Sequence, residues 1–432
     1  KTIRQAMTDA VAANQLDRPQ QITEWMRDLD GFNWGYDPLH FGAPEGSYAT
    51  NPNGAQRILE FRKMVKGLND AGLRTVMDVV YNHTNASGQN SRAVLDRLVP
   101  GYYHRRDNVS GNVLKDSCCD DTAAEFKMME KLMIDTGVTW VRDYKVSGFR
   151  FDIMTFHPLD SMTKFQDAVK AVNPSVYIYG EGWNFGAVQD DKRFTTSRQA
   201  NLGGTGIGSF SDRIRDPIRG GGPFDSGPNH VLNQGFISGQ YYAPNSSNSG
   251  STAERDALLK GSDNIRVWLA GGLAEYRLTN AQGVTVTGAE IDYSGQKSGY
   301  TKDPQEAINY ASKHDNETIW DLSQYKHATG TPLAERVRAD NVGAALIMLG
   351  GGVPFIHAGT ELLRSKSMDR NSYDSGDWYN EIDWTRATSK WNQGLPRAAD
   401  NSGNFDQIKN VVLDVTAVQD QAARETSLAN FK

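Results

Sequence analysis

Apolar residues recur at intervals of three and four through Ile58, Phe61, Val65 and Leu68, which predicts an amphipathic helix capped by Asn53 and stopped at a left-handed Gly72. The run that follows, RTVMDVV from Arg74 to Val80, is short, apolar and β-favouring. It breaks into the polar segment YNHTNASG, as a buried parallel strand opening into a loop would. The same order recurs downstream. A helix over 122–144, with Phe126, Met129, Met133 and Trp140 on one side, precedes a strand over 146–153, and a helix over 161–172 precedes a strand over 176–180. Further on, a strand over 307–312 leads into KHDNET and a helix over 334–349 leads into VPFIHAG. Between these units, residues 201–300 are rich in Gly, Ser and Asn and predict long loops and short helices around one strand at 206–213.

Strands that alternate with helices demand an α/β fold with a parallel sheet. Because polar, chemically able residues stand at the carboxyl ends of successive strands, the pattern matches a (β/α)8 TIM barrel, whose active site lies on that face. A doubly wound sheet is the competitor. The nucleotide chemistry common on it has no motif here, since neither G-x-G-x-x-G between strand and helix nor G-x-x-x-x-G-K-[ST] occurs.

Composition narrows the ligand class. With 432 residues, 38% of them hydrophobic, 9 Trp, 17 Tyr and 16 Phe, the chain has material for a large core. A net charge of -6 and the lack of any basic block argue against nucleic acid, and neutral ligands fit better. No run approaches the roughly 18–20 apolar residues of a membrane span, and the opening KTIRQAMTDAV lacks the order of a signal peptide. The 2 cysteines, Cys118 and Cys119, are adjacent, so they cannot cross-link distant segments, and no C-x-x-C spacing marks a redox centre. Whether they are joined to each other is left open.

Three strand-end carboxyls carry the candidate chemistry: Asp152 in GFRFDIM, Glu181 in YIYGEGW and Asp315 in SKHDNET. Any one alone reads as well as a salt-bridge partner or helix cap. Two carboxyls on neighbouring strand ends, however, meet the need of glycosidic hydrolysis: one protonates the leaving oxygen and the other attacks or activates water. Arg150, two residues before Asp152, should face the same side and lower its pKa, while His314 can donate a hydrogen bond to a sugar hydroxyl.

With these residues in view, the chain resembles the α-amylase superfamily of glycoside hydrolases, through DVVYNH with His83, GFRFD with Asp152, GEGW with Glu181 and KHDN with Asp315. NWGYDP (33–38), PEGSY (44–48) and RSKSMDRNSYDSGDW (364–378) look like the type I pullulanase and limit dextrinase branch. The resemblance runs from about residue 30 to the end. It implies a retaining debranching hydrolase for α-1,6-glucosidic links in pullulan, amylopectin and limit dextrins. Asp152 would be the nucleophile, Glu181 the general acid and base, and Asp315 the group that binds and distorts the sugar. Tyr36 would stack on the sugar beside the scissile bond, Asp37, His83, Arg150 and His314 would surround it, and Trp183 would face the leaving side. Ile153, Arg370 and Asp374 would add substrate contacts; Ile153 stands where the branch usually has Leu, and Asn371 interrupts what would often read DRDSYDSGDW.

Several further expectations follow from the resemblance. Retention implies carboxyls about 5–5.5 Å apart, and burial beside Trp183 should raise the Glu181 pKa. No cofactor is required. Ca2+ is a candidate structural ion, for which Asp78, Asn82 and the acidic SCCDD loop could supply oxygens, although Asp120 and Asp121 read equally as caps for the next helix. The family places two barrel strands ahead of NWGYDP, yet residues 1–32 read only as a helix over 22–29. The barrel over 1–432 therefore reads as partial, without the family's N-terminal modules or C-terminal β-sandwich. The expected partner is an α-glucan, the expected state a monomer, and the expected setting secreted or cell-surface. An isoamylase or glycogen-type debranching enzyme would share the carboxylates. A non-catalytic α-glucan-binding protein would lack at least one, and all three are present.

Overall fold

The computed structural model describes residues 2–27, 29 and 34–432. The elements that organise it begin with helices α1 (Ile3–Ala12), α2 (Arg18–Met26) and α3 (Gln56–Asp70). Strand β1 (Val76–Val79) follows, then the short β2 (His83–Thr84) and β3 (Asp120–Asp121), helix α4 (Lys127–Arg142), β4 (Gly148–Phe151), α5 (Leu159–Val172), β5 (Tyr177–Gly180) and β6 (Gly208–Phe210). The later elements are α6 (Asp212–Arg219), α7 (Thr252–Leu269), β7 (Ala307–Asn309), α8 (Ile319–Lys326), α9 (Leu333–Met348), β8 (Val353–Pro354) and α10 (Gln421–Asn430). They fall into two compact units, one of Asn33–Phe210 with Tyr300–Ala307, the other of Lys1–Phe32, Ser211–Gly299 and Ile308–Lys432.

In the first unit β1, β4, β5 and β6 lie side by side, all parallel. Helices α4 and α5 pack on each other, and Met129, Met133, Trp140, Phe149, Phe151, Phe165 and Val169 form a closed apolar core with these strands. Burying each such side chain contributes about 1.5–3 kcal/mol, which is why the short strands hold despite few ladder bonds. The Trp140 indole N–H is satisfied by the carbonyl of Phe41 at 3.1 Å.

Two expectations are corrected here. Helix α3 starts at Gln56 with no side-chain cap, because Asn51 Oδ1 accepts the Asn53 N–H at 3.0 Å and holds that residue in a turn ahead of the helix. Gly72 is left-handed as expected, with φ +78°. Asp120 and Asp121 do not cap α4, whose N-cap is Phe126; they pair antiparallel with Thr84 and His83 instead, which delays the helix to Lys127.

In the second unit β7 and β8 pair in parallel, Ile308 opposite Val353. Trp320, Tyr325, Val337, Leu363, Trp391 and Leu395 belong to one apolar cluster. The segment expected to hold long loops and short helices around one strand has that strand as β6 but also contains the 18-residue α7. Its start is fixed by a reciprocal capping box: Ser251 Oγ accepts the Glu254 N–H at 3.3 Å, and Glu254 accepts the Ser251 N–H at 2.7 Å. The helix expected over 22–29 is α2, at Arg18–Met26, and Asp28 lies outside the described residues.

Candidate active site

In the first unit the parallel register sets Asp78 beside Arg150 and Arg150 beside Tyr179, with Val79, Phe151 and Gly180 one residue further along. The ladder continues past the strand ends: the Asp152 N–H donates to Val79 O at 3.0 Å and the Glu181 N–H donates to Phe151 O at 3.1 Å. Asp152 and Glu181 thus occupy the carboxyl ends of neighbouring strands. Their strands approach closely because residue 180 is glycine; a Cβ there would stand 2.5 Å from Phe151 O.

Arg150 ties the carboxylates together. Its Nη1 lies 2.9 Å from Asp78 Oδ1 and 3.1 Å from Asp152 Oδ1, and its Nη2 lies 2.8 Å from Glu181 Oε1. The guanidinium is 4% exposed, so three carboxylates share one buried cation. Asn82 Nδ2 donates to Asp152 Oδ2 at 3.1 Å, and the Ile153 N–H donates to Glu181 Oε2 at 3.2 Å. To deliver that N–H, Ile153 adopts φ +36°, ψ +53°, a left-handed conformation costly for a β-branched residue.

The charge balance corrects one expectation. Arg150 and Asn82 do pull the Asp152 pKa down, but burial and the neighbouring Glu181 charge outweigh them, and Asp152 stands well above the usual carboxylate range. Two carboxyls this close under one guanidinium retain a proton between them to higher pH than either would alone.

Tyr36 hydrogen-bonds Asp78 through its hydroxyl, and its ring centre lies 5.6 Å from the Arg150 guanidinium carbon and 4.8 Å from the Trp34 ring. Asn33, which opens the same motif, lies outside the described residues. Asp37 accepts from Asn85 at 2.8 Å. His83 is 2% exposed, its Nε2 faces Tyr36 O, and burial lowers its pKa, so the ring is neutral. Trp183 is half-buried, two residues beyond Glu181.

In the second unit Asp315 pairs with Lys313 and lies 3.6 Å from His314 Nε2, its carboxylate 45% exposed. Asn316 beside it is left-handed, with φ +61°. The buried Lys366 clamps this turn, donating to Asn316 O at 2.8 Å and His314 O at 3.4 Å. Arg370 donates to Pro223 O at 3.1 Å and Asp225 O at 3.3 Å, holding a glycine-rich loop. Asp374 is held in ion pairs with Arg27 at 2.7 Å and Arg397 at 3.8 Å.

Asp78 and Asn82 were legible only as oxygen ligands for Ca2+, and the structure assigns them otherwise. Asp78 is held by Arg150 and Tyr36. Asp121 is engaged by the N–H groups of Asp116 and Ser117, at 3.1 and 3.2 Å, and Asp120 pairs with Lys115 at 2.9 Å. A guanidinium against Asp78 opposes a second cation at that carboxylate. The unusual charge inside the apolar run RTVMDVV was the signal that Asp78 has a partner across the sheet.

No family model matches the chain. Over 95% of its length it is 45% identical to a pullulanase of Klebsiella aerogenes, covering 37% of that protein. It is 41% identical over 100% of its length to the chloroplastic pullulanase 1 of Arabidopsis thaliana, covering 45% of it. A crystal structure of Klebsiella pneumoniae pullulanase complexed with maltotriose superposes with a TM-score of 0.94 at 43% identity, over 100% of this chain and 41% of that one. The chain therefore spans less than half the length of these relatives.

Proposed function

The chain belongs to the type I pullulanase branch of the α-amylase superfamily, and on that premise we propose that the protein is a retaining debranching hydrolase of α-1,6-glucosidic links in pullulan, amylopectin and limit dextrins. The observation that carries this reading is the Asp152–Arg150–Glu181 arrangement on adjacent strand ends. In the first half-reaction Glu181 protonates the bridging oxygen as Asp152 attacks the anomeric carbon, forming a glycosyl ester. In the second, Glu181 takes a proton from water, which cleaves that ester with net retention. The proton held by the carboxyl pair is the one the first half-reaction consumes, and Arg150 balances the charge left behind. Asp315 and His314 bind and distort the sugar, Tyr36 stacks on it, and Asp37, His83, Ile153, Trp183, Arg370 and Asp374 complete the glucan contacts. These roles rest on the motif resemblance.

The parallel strands and intervening helices, together with pullulanase structures as neighbours, support a (β/α)8 barrel as the complete fold. A Cys118–Cys119 disulfide suits the oxidising setting of a secreted or cell-surface protein. Among the described residues no helix is long and apolar enough to cross a membrane.

The test is product analysis on pullulan, amylose and glycogen, with Asp152→Asn as control. Maltotriose from pullulan, absent in the control, with amylose untouched, is the expected result. Release from glycogen alone would move the assignment to the isoamylase side. Binding without any product would leave a glucan-binding protein.

A further inference from the structure

The two cysteines are joined to each other in the loop that leads into β3. Cys118 is exposed and Cys119 half-buried, and Cys118 Sγ lies 3.5 Å from Nε2 of the buried His83. Among the described residues, His83, Cys118 and Cys119 are the trio of His, Cys, Asp or Glu side chains able to hold a metal ion, with ligand atoms all within 4.8 Å of one another. No step of the proposed hydrolysis uses either sulfur.

We propose that this trio is a soft-metal site opened by reduction: as a dithiol, Cys118 and Cys119 join His83 in binding a thiophilic divalent cation of the zinc and cadmium class. Two thiolates and an imidazole form the donor set such d10 ions prefer, with zinc–sulfur bonds of about 2.3 Å and zinc–nitrogen bonds of about 2.0–2.1 Å, and longer ones for the larger cadmium ion. The ligand atoms already stand near enough that small side-chain rotations close the site. Cys118 is the sulfur a reductant reaches from solvent. With a trialkylphosphine, phosphorus attacks Cys118 Sγ and Cys119 leaves as thiolate. Water then converts the thiophosphonium to phosphine oxide, so the disulfide gains two electrons and two protons. The metal displaces the two thiol protons as it binds.

Loading has a consequence at His83. Its Nε2 now faces the Tyr36 carbonyl as a donor, whereas ligation needs the Nε2 lone pair. The ring proton must move to Nδ1, which is buried and makes no hydrogen bond among the described residues. Metal binding therefore breaks the His83–Tyr36 bond and loosens Tyr36, whose hydroxyl and ring contact Asp78 and Arg150. Inhibition of hydrolysis follows from this and rests on the proposed glucan site; metal binding itself rests on the trio alone.

The experiment is a Cd2+ titration of the protein, oxidised and after phosphine reduction and desalting, followed by the ultraviolet thiolate-to-metal charge-transfer band. The reduced protein should bind one Cd2+ per chain, and the oxidised protein should show no band. Cys118→Ser, Cys119→Ser and His83→Gln should each weaken binding at least about tenfold. No band after reduction, or equal affinity in the three variants, would overturn the site. In parallel, pullulan hydrolysis by the oxidised protein should ignore Cd2+, while the reduced protein should lose activity at one equivalent and regain it with a chelator. Full activity of the Cd2+-loaded protein overturns the coupling. A protein that binds Cd2+ as stated but never cleaves pullulan overturns the hydrolase reading and leaves the metal site standing.

Discussion

Gly180 sets the spacing between the strands that carry Asp152 and Glu181, and Gly180→Ala probes that spacing directly. An added Cβ would stand 2.5 Å from Phe151 O, 2.8 Å from Phe151 Cβ and 3.0 Å from Met154 Cβ. Two of the three atoms belong to the residue before Asp152, so no flexible side-chain end can swing away. Bringing the nearest contact from 2.5 Å to 3.0 Å, the least that real Cβ atoms show, parts β4 from β5 by about 0.5 Å. Overpacking of this kind costs about 1–3 kcal/mol of stability. A misplacement of about 1 Å at reacting groups can cost 10²-fold in rate, so half of that should lower kcat on pullulan by about tenfold with KM little changed. The assay is reducing-sugar release well below the melting temperature, with melting followed by circular dichroism. Gly72→Ala is the control: at φ +78° with open space around it, it should lose about 1 kcal/mol and keep its kcat. If Gly180→Ala keeps full kcat, or if both variants lose the same fraction of it, the strand-spacing argument is wrong.

Two further perturbations test the second unit. Lys366→Met removes both bonds that clamp the turn around Asp315 and should cost about 1.5–3 kcal/mol in urea unfolding, with kcat falling more than KM rises; an unchanged kcat would remove Lys366 from the positioning of Asp315. Asp340 is buried, neither of its oxygens has a hydrogen bond among the described residues, and burial with the nearby Asp321 charge pushes its pKa up to about 8. Because the folded pKa lies above the unfolded one, its contribution to stability is fully present below about pH 4 and is lost as pH rises through about 8. Calorimetry should show the melting temperature falling between about pH 5 and 8 in the wild type and falling less in Asp340→Asn; parallel curves would contradict the assignment.

Much of this arrangement was legible in the chain. The apolar runs ending at Asp152 and Glu181 fixed two strands, and their spacing by one helix made them neighbours. What depended on lateral register was not legible: the charge inside RTVMDVV marks Asp78 as needing a partner, but the contact joins residues 72 apart and nothing local names Arg150 as that partner. The pairing of His83–Thr84 with Asp120–Asp121 is too short to leave a periodic trace. Helix α7 is a different case. Its S-x-x-E box at Ser251 and Glu254 is present in the sequence, but it sits among Gly, Ser and Asn residues whose composition favours loops.

The single guanidinium among three carboxylates also sorts ligands by charge. The cluster is electronegative even after it retains a proton, and around the buried Arg150 and Glu181 and the largely buried Asp152 water screens little. On the proposed function, a phosphorylated glucan meets repulsion where its neutral counterpart does not, and esterified branch points should survive as limit fragments. A small protonated amine shaped like a sugar meets attraction. It should compete well only at pH values where both it and the cluster are charged.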